Sequence, residues 1–286
     1  MRPSHRSGFT LIELLVVISI ISMLASVVLA AMGGARDKAT IASMQMFDTH
    51  TYQALGVNLV GMWNFDGPNN LFYDSSGNGH HGVEYVKSQS SSPSSSAVIS
   101  SVPNASNQNN KAISLNGTTF VNVGVLSVAN DITVSTWVNS NDFNTSAVGI
   151  VGTNNTADWG LYIFDNNLSW RGQTGTQDPT GVYRINCTPP TNSKWHHLAA
   201  TQSGTNASLY VDGKLCGKRS DMKGIGNTGL ITLIGAFYTN GMLFTGSIDD
   251  VKIYSQYMLA SEIQNIYLAG LPTHTLAANI DGETAK

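Results

Sequence analysis

The sequence predicts an α+β chain, a long N-terminal hydrophobic α-helix followed by an antiparallel β-sandwich. Three observations predict it. Leu14 to Ala35 runs for 22 residues without a charge. From residue 59 onward, about eleven short runs rich in Val, Ile, Thr and aromatics alternate with turn dipeptides. Only 12% of the 286 residues are charged, while Gly, Ser, Thr and Asn are abundant, a balance suited to a turn-rich extracytoplasmic β protein and unsuited to a helical bundle. The 15 Lys and Arg against 18 Asp and Glu give a net charge of −3. That leaves no basic field for a polyanion, so nucleic acid is not expected as the main ligand.

The apolar run is roughly 33 Å long as a helix, enough to cross a hydrocarbon core of about 30 Å. Arg2 and Arg6 flank it on one side, Arg36 and Lys38 on the other. A secretory signal carries its cleavage site after the apolar core. Here Gly8 precedes the run, so cleavage after Gly8 removes a basic octapeptide and keeps the helix. Glu13 is then the fifth residue of the processed chain, next to a new N-terminal amine. A lone carboxylate deep in lipid costs on the order of 2–3 kcal/mol, so Glu13 needs a partner. Its place in the first turn suits the helix dipole, and the amine of a neighbouring subunit can neutralise it in a staggered stack of helices.

Gly8-Phe9-Thr10-Leu11-Ile12-Glu13-Leu14-Leu15-Val16-Val17-Ile18 resembles the N-terminal signature of type IV pilins and the related pseudopilins. The resemblance spans roughly residues 5–40. It implies that a membrane prepilin peptidase cuts after Gly8 and methylates Phe9. It also implies that Glu13 serves filament assembly and that the helices form the filament core. The chain departs from many pilins in lacking a Pro in the later helix, where Ala30-Ala31-Met32 stand. The local weak point is instead Gly33-Gly34, at about 1 kcal/mol per Gly relative to Ala. A weaker helical stripe (Ala39, Ala42, Met46) continues the helix toward Leu55.

The alternating pattern predicts strands at Gly61–Phe65, Ala112–Leu115, Phe120–Val123, Ile132–Val138, Val148–Gly152 and Gly160–Phe164. Further strands are expected at Leu168–Arg171, Trp195–Thr201, Ala207–Val211, Leu230–Ile234 and Ser247–Tyr254. Asp66-Gly67, Asn116-Gly117, Asn166-Asn167, Ser203-Gly204 and Asp212-Gly213 mark turns between them. The pair Ile263/Ile266, with Gly270 as a stop, predicts a short helix from Ala260 to Tyr267. The expected division is a leader (1–8), the hydrophobic helix (9–57), a sandwich (58–270) and a flexible tail (271–286). A Ser/Asn-rich stretch with Pro93 and Pro103, residues 88–110, reads as a long loop inside the sandwich.

Several phrases of the body resemble the concanavalin A-like, laminin-G-type jelly roll. They are Val60-Gly61-Met62-Trp63-Asn64-Phe65-Asp66, Asp74-Ser75-Ser76-Gly77-Asn78-Gly79-His80-His81-Gly82 and Ser114-Leu115-Asn116-Gly117. Ile132-Thr133-Val134-Ser135-Thr136-Trp137-Val138 follows, then Trp195-His196-His197-Leu198-Ala199-Ala200-Thr201 with Leu209-Tyr210-Val211-Asp212-Gly213. The last is Gly246-Ser247-Ile248-Asp249-Asp250-Val251-Lys252-Ile253-Tyr254. The resemblance covers about residues 59–268 and implies a two-sheet sandwich, commonly a calcium-stabilised module that binds carbohydrate or protein. Fold alone does not give function.

Candidate sites follow from side-chain chemistry. Asp66, Asp74, Asn78 and Asp249 supply turn-held oxygens of the kind calcium needs. The competing reading is that these oxygens accept backbone N–H bonds. For glycoside cleavage, a retaining pair needs carboxyls about 5–5.5 Å apart, but the sandwich offers Glu84 near a loop and Glu262 on the terminal helix. His80-His81 and His196-His197 lack matched ligand spacing, so no catalytic residue is assigned. Trp63, Trp137 and Trp195 sit in core phrases. Trp170, Tyr183 and Tyr238, near strand ends and loops, are the candidates for stacking on a sugar. Cys187 and Cys216 form one bridge in an oxidising exterior, worth roughly 2–4 kcal/mol, or remain free thiols.

The expected protein is a pilin-like filament subunit, minor or tip, with a head that binds glycans or other surface ligands. It sits in the cytoplasmic membrane with the head outside before assembly, and on the extracellular filament afterwards. Its partners are prepilin peptidase, other pilin subunits and a glycan or protein ligand. The alternatives are a structural pseudopilin of a secretion system and a membrane-anchored lectin that does not polymerise.

Overall fold

A computed structural model of the chain describes residues 11–26, 58–67, 70–87, 100–103, 111–128, 130–141, 143, 147–155, 158–172, 183–190, 193–226, 229–238 and 241–274. The chain divides into two compact units, Met1–Phe47 and Asp48–Lys286. In the first, residues 11–26 are helical and every one is exposed, Leu11 by 82% and Met23 by 73%. The hydroxyls of Ser19, Ser22 and Ser26 donate back to the carbonyls of Val16, Ile18 and Met23 at 2.9, 2.7 and 2.8 Å. This back-bonding engages the serine hydroxyls and leaves a surface that is apolar apart from Glu13. Among the described residues no helix is long and apolar enough to cross a membrane. The later part of the run Leu14–Ala35 lies outside the described residues, as do Gly8, Phe9 and Gly33-Gly34.

Among its described residues the second unit holds seventeen strands and a C-terminal helix, Ala260–His274. The strands begin with β1 (Leu59–Trp63), β2 (Val83–Val86), β3 (Ser100–Pro103), β4 (Lys111–Asn116), β5 (Thr119–Val125) and β6 (Asp131–Asn139). They continue with β7 (Ala147–Thr153), β8 (Trp159–Phe164), β9 (Asn167–Gly172), β10 (Arg184–Cys187), β11 (His196–Ser203) and β12 (Asn206–Val211). The last are β13 (Lys214–Arg219), β14 (Ile231–Ile234), β15 (Ala236–Tyr238), β16 (Gly241–Leu243) and β17 (Thr245–Tyr254). One sheet of eight strands runs β13-β12-β11-β6-β17-β4-β3, with β1 also on β17. A second, of seven, runs β10-β9-β8-β7-β14-β5-β2, and β15 pairs with β16. Neighbouring strands are antiparallel throughout the paired registers, as the closed alternation of short strands and tight turns requires.

Strand β17 holds the eight-stranded sheet together. Along one edge it pairs with β6; along the other its first half pairs with β4 and its second half with β1. The register breaks between Asp249 and Lys252, where Asp250 takes φ 48°. This is a bulge at the point where the strand changes partner.

The two sheets enclose the main core, with Trp63, Phe65, Ile113, Trp159, Trp170, Leu209, Ile248 and Ile253 among its members. Trp159 and Trp170 stack at 6.2 Å. Gln202 is the polar insertion in this core: its Oε1 accepts from Trp170 Nε1 at 2.9 Å, and its Nε2 donates to the Lys223 carbonyl at 2.7 Å. The C-terminal helix covers part of the outer face of the eight-stranded sheet, where Leu59, Ala199, Tyr210 and Tyr254 meet Met258, Ile263 and Ile266. Glu262 Oε2 accepts the Leu259 N–H at 2.7 Å, a reach-back cap of the helix start. Gly270 lies against the Trp137 indole, with no room for a Cβ. On the other sheet Phe237 of β15 lies over Gly149 and Gly160 and stacks on Tyr162 at 4.7 Å.

Three expectations change. The stretch 88–110 contains strand β3, which pairs with β4. The terminal helix runs through His274, past the expected start of the tail at Leu271, because Gly270 is used for close packing and does not stop the helix. Trp195, expected in the core, is half-buried at the rim.

Cys187 and Cys216 are joined by a disulfide with Cα atoms 5.9 Å apart, linking β10 of one sheet to β13 of the other. A closed loop of this size predicts that reduction removes about 3 kcal/mol of stability. The melting temperature should then fall by roughly 10 °C, as measured by thermal denaturation of the full chain in detergent with and without reductant.

Candidate ligand-binding site

Among the residues expected to handle assembly, Glu13 lies on the exposed helix of residues 11–26. Gly8 and Phe9 lie outside the described residues.

The four residues expected at a calcium ion are already engaged within the protein. Asp74 is fully buried. Its Oδ1 accepts the N–H groups of Met62 (3.0 Å) and Ser76 (2.9 Å), and its Oδ2 that of His80 (2.9 Å). Burial works against the ionised Asp74, but hydrogen bonds from Ser76, Met62 and His80 outweigh it and hold the carboxyl below its ordinary value. Asp66 Oδ1 accepts the Lys111 N–H at 2.7 Å, and burial raises its carboxyl above the ordinary value. Asn78 turns its amide nitrogen to the carbonyls of Leu59 (2.7 Å) and Val60 (3.0 Å). Asp249, 2% exposed, accepts the Asp250 N–H at 2.8 Å and faces His274 Nε2 at 3.1 Å. N–H groups aimed at carboxylate oxygens occupy the directions a cation would take. Among the described residues no three His, Cys, Asp or Glu side chains converge in a set that could hold a metal. The contacts seen at these four residues are those of the competing reading, a set of loop-fixing hydrogen bonds.

Asp249 instead anchors a cluster under the C-terminal helix. His274 is 2% exposed and stacks on Trp137 at 4.3 Å and 2°. Ser135 Oγ and His197 Nε2 lie 2.8 Å apart on the same sheet face. A Ser–His pair suggests nucleophilic chemistry, yet both side chains are sealed from solvent, so no substrate reaches them. Burial, reinforced by Lys252, lowers the His197 pKa to about 3, with His274 acting in the same sense and Asp212 and Asp250 opposing it. No pattern in the sequence signals His274, which stands in the segment expected as tail. Glu84 on β2 is buried and Glu262 caps the helix.

The stacking candidates divide. Trp170 is fully buried in the core, with its N–H spent on Gln202, which removes it as a platform. Tyr183 is half-buried, with Lys223 Nζ 5.0 Å and Arg219 Cζ 5.7 Å from its ring centre. Tyr238 closes β15; its side chain lies outside the described residues.

An open cleft of about 270 Å³ lies where β6 ends and β17 begins, lined by Asn139, Ser140, Asn141, Thr245, Gly246 and Ser247. Ser140 Oγ donates to the Thr245 carbonyl at 2.8 Å and ties its two walls together. Gly246 has φ 136° and would press any Cβ onto the Asn139 carbonyl, so glycine alone fits there. Register sets Ser114, Ser247 and Asn139 side by side across β4, β17 and β6. The sequence reading passed over these residues, since Asn139 and Ser247 stand far apart in the chain and only strand pairing unites them.

Two stacked antiparallel sheets with this strand order around a Trp-rich core define a jelly-roll-type β-sandwich. The chain belongs to the concanavalin A-like lectin/glucanases superfamily, whose description matches residues 107–264. A prokaryotic N-terminal methylation motif, the type IV pilin signature, matches residues 3–29 of the same chain. A search of curated proteins finds no match.

Among solved structures, the chain is similar to domain 4 of AbnA, an extracellular arabinanase of family GH43 from Geobacillus stearothermophilus, in complex with arabinotriose. The identity is 19%, the TM-score 0.54, and the match covers 74% of this chain and 98% of that one. It is also similar to the binding domain of Paraclostridial Mosquitocidal Protein 1, at 23% identity and TM-score 0.51, over 74% of this chain and 52% of that one. A third is the botulinum neurotoxin serotype D ligand binding domain in complex with N-acetylneuraminic acid, at 15% identity and TM-score 0.51, over 76% and 52%. The chain thus spans about half the length of the two toxin domains. At these identities the likeness is one of fold.

The buried His197 makes stability depend on pH. The folded chain keeps this imidazole neutral down to about pH 3, whereas the unfolded chain protonates it below about 6.5. Stability therefore falls as pH falls through that window, by up to about 1.4 kcal/mol per pH unit. Urea denaturation at pH 7, 6 and 5 should show the slope, and His197→Gln, which keeps a partner for Ser135, should flatten it.

Proposed function

We propose that the chain is a type IV pilin-like filament subunit, minor or tip, whose sandwich head binds glycans or other surface ligands. The observation that carries this reading is the union, in one chain, of a methylation motif over residues 3–29 and a lectin-type sandwich in a compact unit of its own. Cleavage after Gly8 frees Phe9 for methylation and sets Glu13 close to the new N-terminus. The apolar helix then holds the subunit in the cytoplasmic membrane until it enters the filament among other pilin subunits. There the Glu13 carboxylate meets the N-terminal ammonium of a neighbour, which removes the cost of a lone charge in an apolar core. The head stays outside. Sugar-bound relatives of the same fold, one with arabinotriose and one with N-acetylneuraminic acid, support a glycan as the ligand.

Glu13→Val tests assembly. In the native host the variant should still be processed and found in the membrane, while its amount in the sheared surface fraction drops at least tenfold by immunoblot. Unchanged surface filaments would overturn the pairing, and a wild-type chain confined to the membrane would establish an anchored lectin instead. Wild-type chain found only in a secretion-system pseudopilus would favour the purely structural role.

A further inference from the structure

We infer that the cleft between the end of β6 and the start of β17 is a subsite for an uncharged sugar residue. The inference rests on the reading of the head as a glycan binder and assigns the part of its surface that does the binding.

The chemistry of the lining carries it. The side-chain amides of Asn139 and Asn141 and the hydroxyls of Thr245 and Ser247 enter no hydrogen bond among the described residues. Each amide offers an acceptor oxygen and two N–H donors, and each hydroxyl both donates and accepts. A sugar hydroxyl also donates and accepts, so the groups match in kind. Several polar side chains elsewhere in the head are used internally: Asp74 on three N–H groups, Asn78 on two carbonyls, Gln202 on Trp170 and Lys223. In the cleft two amides and two hydroxyls stand together unspent among the described residues.

Charge and size select the ligand class. No lining residue carries a charge, so a carboxylate or sulfate would find no cation there. Cations gather elsewhere, with Arg184 on β10, Lys214, Lys218 and Arg219 on β13, and Lys223 beside Tyr183. A volume of about 270 Å³ sits at the low end for small-molecule sites and suits a single sugar ring. The Ser114–Ser247–Asn139 row extends the same chemistry across three strands, so a longer glycan can continue along the sheet. The walls are strands tied by the Ser140–Thr245 bond, so little ordering is lost when a ligand enters.

The test uses the full chain in detergent micelles, titrated calorimetrically with neutral arabino-, xylo-, manno-, galacto- and cello-trioses and with the anionic probe sialyllactose. At least one neutral triose should bind. Asn139→Ala and Ser247→Ala should each weaken it about fivefold or more, and the double variant should abolish it. Tyr183→Ala with Lys223→Ala should leave it unchanged, and all variants should keep the parental melting temperature. Neutral-sugar binding that survives the double variant overturns the cleft but leaves the glycan reading standing. Binding of sialyllactose alone, lost with Tyr183→Ala and Lys223→Ala, moves the site to the basic edge and overturns the cleft likewise. Binding of no probe at millimolar concentration overturns both the subsite and the glycan reading.

Discussion

A helix that turns large apolar side chains outward is costly to leave in water. Residues 11–26 present eleven large hydrophobic side chains to solvent, and their serine hydroxyls are turned back onto the backbone. At about 2 kcal/mol for each large side chain removed from water, covering them is worth roughly 20 kcal/mol, more than the stability of a typical domain. In the proposed function lipid supplies that cover first. In the proposed filament, neighbouring helices of the same kind replace it, and the drive then comes from packing and charge pairing more than from the hydrophobic effect. The carboxylate of Glu13 is the one acidic group in this stretch, and under the proposed function its pairing with the processed N-terminus decides whether the helix stays in the membrane or joins a fibre.

The head obeys a different constraint, that buried polar groups must be satisfied. Asp74 fixes the loop after β1 by collecting three backbone N–H groups. Asp249 fixes the C-terminal helix through His274 while Trp137 stacks against the same ring. Gln202 joins the core indole of Trp170 to the segment around Lys223. These three side chains are consumed in holding the sandwich together. The two amides and two hydroxyls of the β6–β17 cleft are modest by comparison, yet none of them enters a hydrogen bond among the described residues.

The architecture was largely legible. Alternating Val, Ile and aromatic runs marked the principal strands, and Trp63 and Trp137 were placed correctly in the interior. Strand β13 was missed because Lys214–Arg219 is an edge strand with mostly exposed side chains and lacks an apolar alternation. Strand β3 was hidden in a Ser-rich stretch, where composition argues for a loop and only pairing with β4 makes a strand. Trp170 looked peripheral because Leu168–Arg171 is short and borders a turn. One-dimensional pattern does not reveal that the opposing sheet closes over it. The acidic phrases show a related limit: sequence displays which oxygens exist, but not which N–H groups they accept.

The most direct test of the account is intact-mass and N-terminal fragment analysis of the native chain recovered from the sheared surface fraction. The account predicts a chain that begins at Phe9, bears one methyl group on its terminal nitrogen and lacks the octapeptide. A surface chain that retains Met1, or one that begins beyond Glu13, would contradict it.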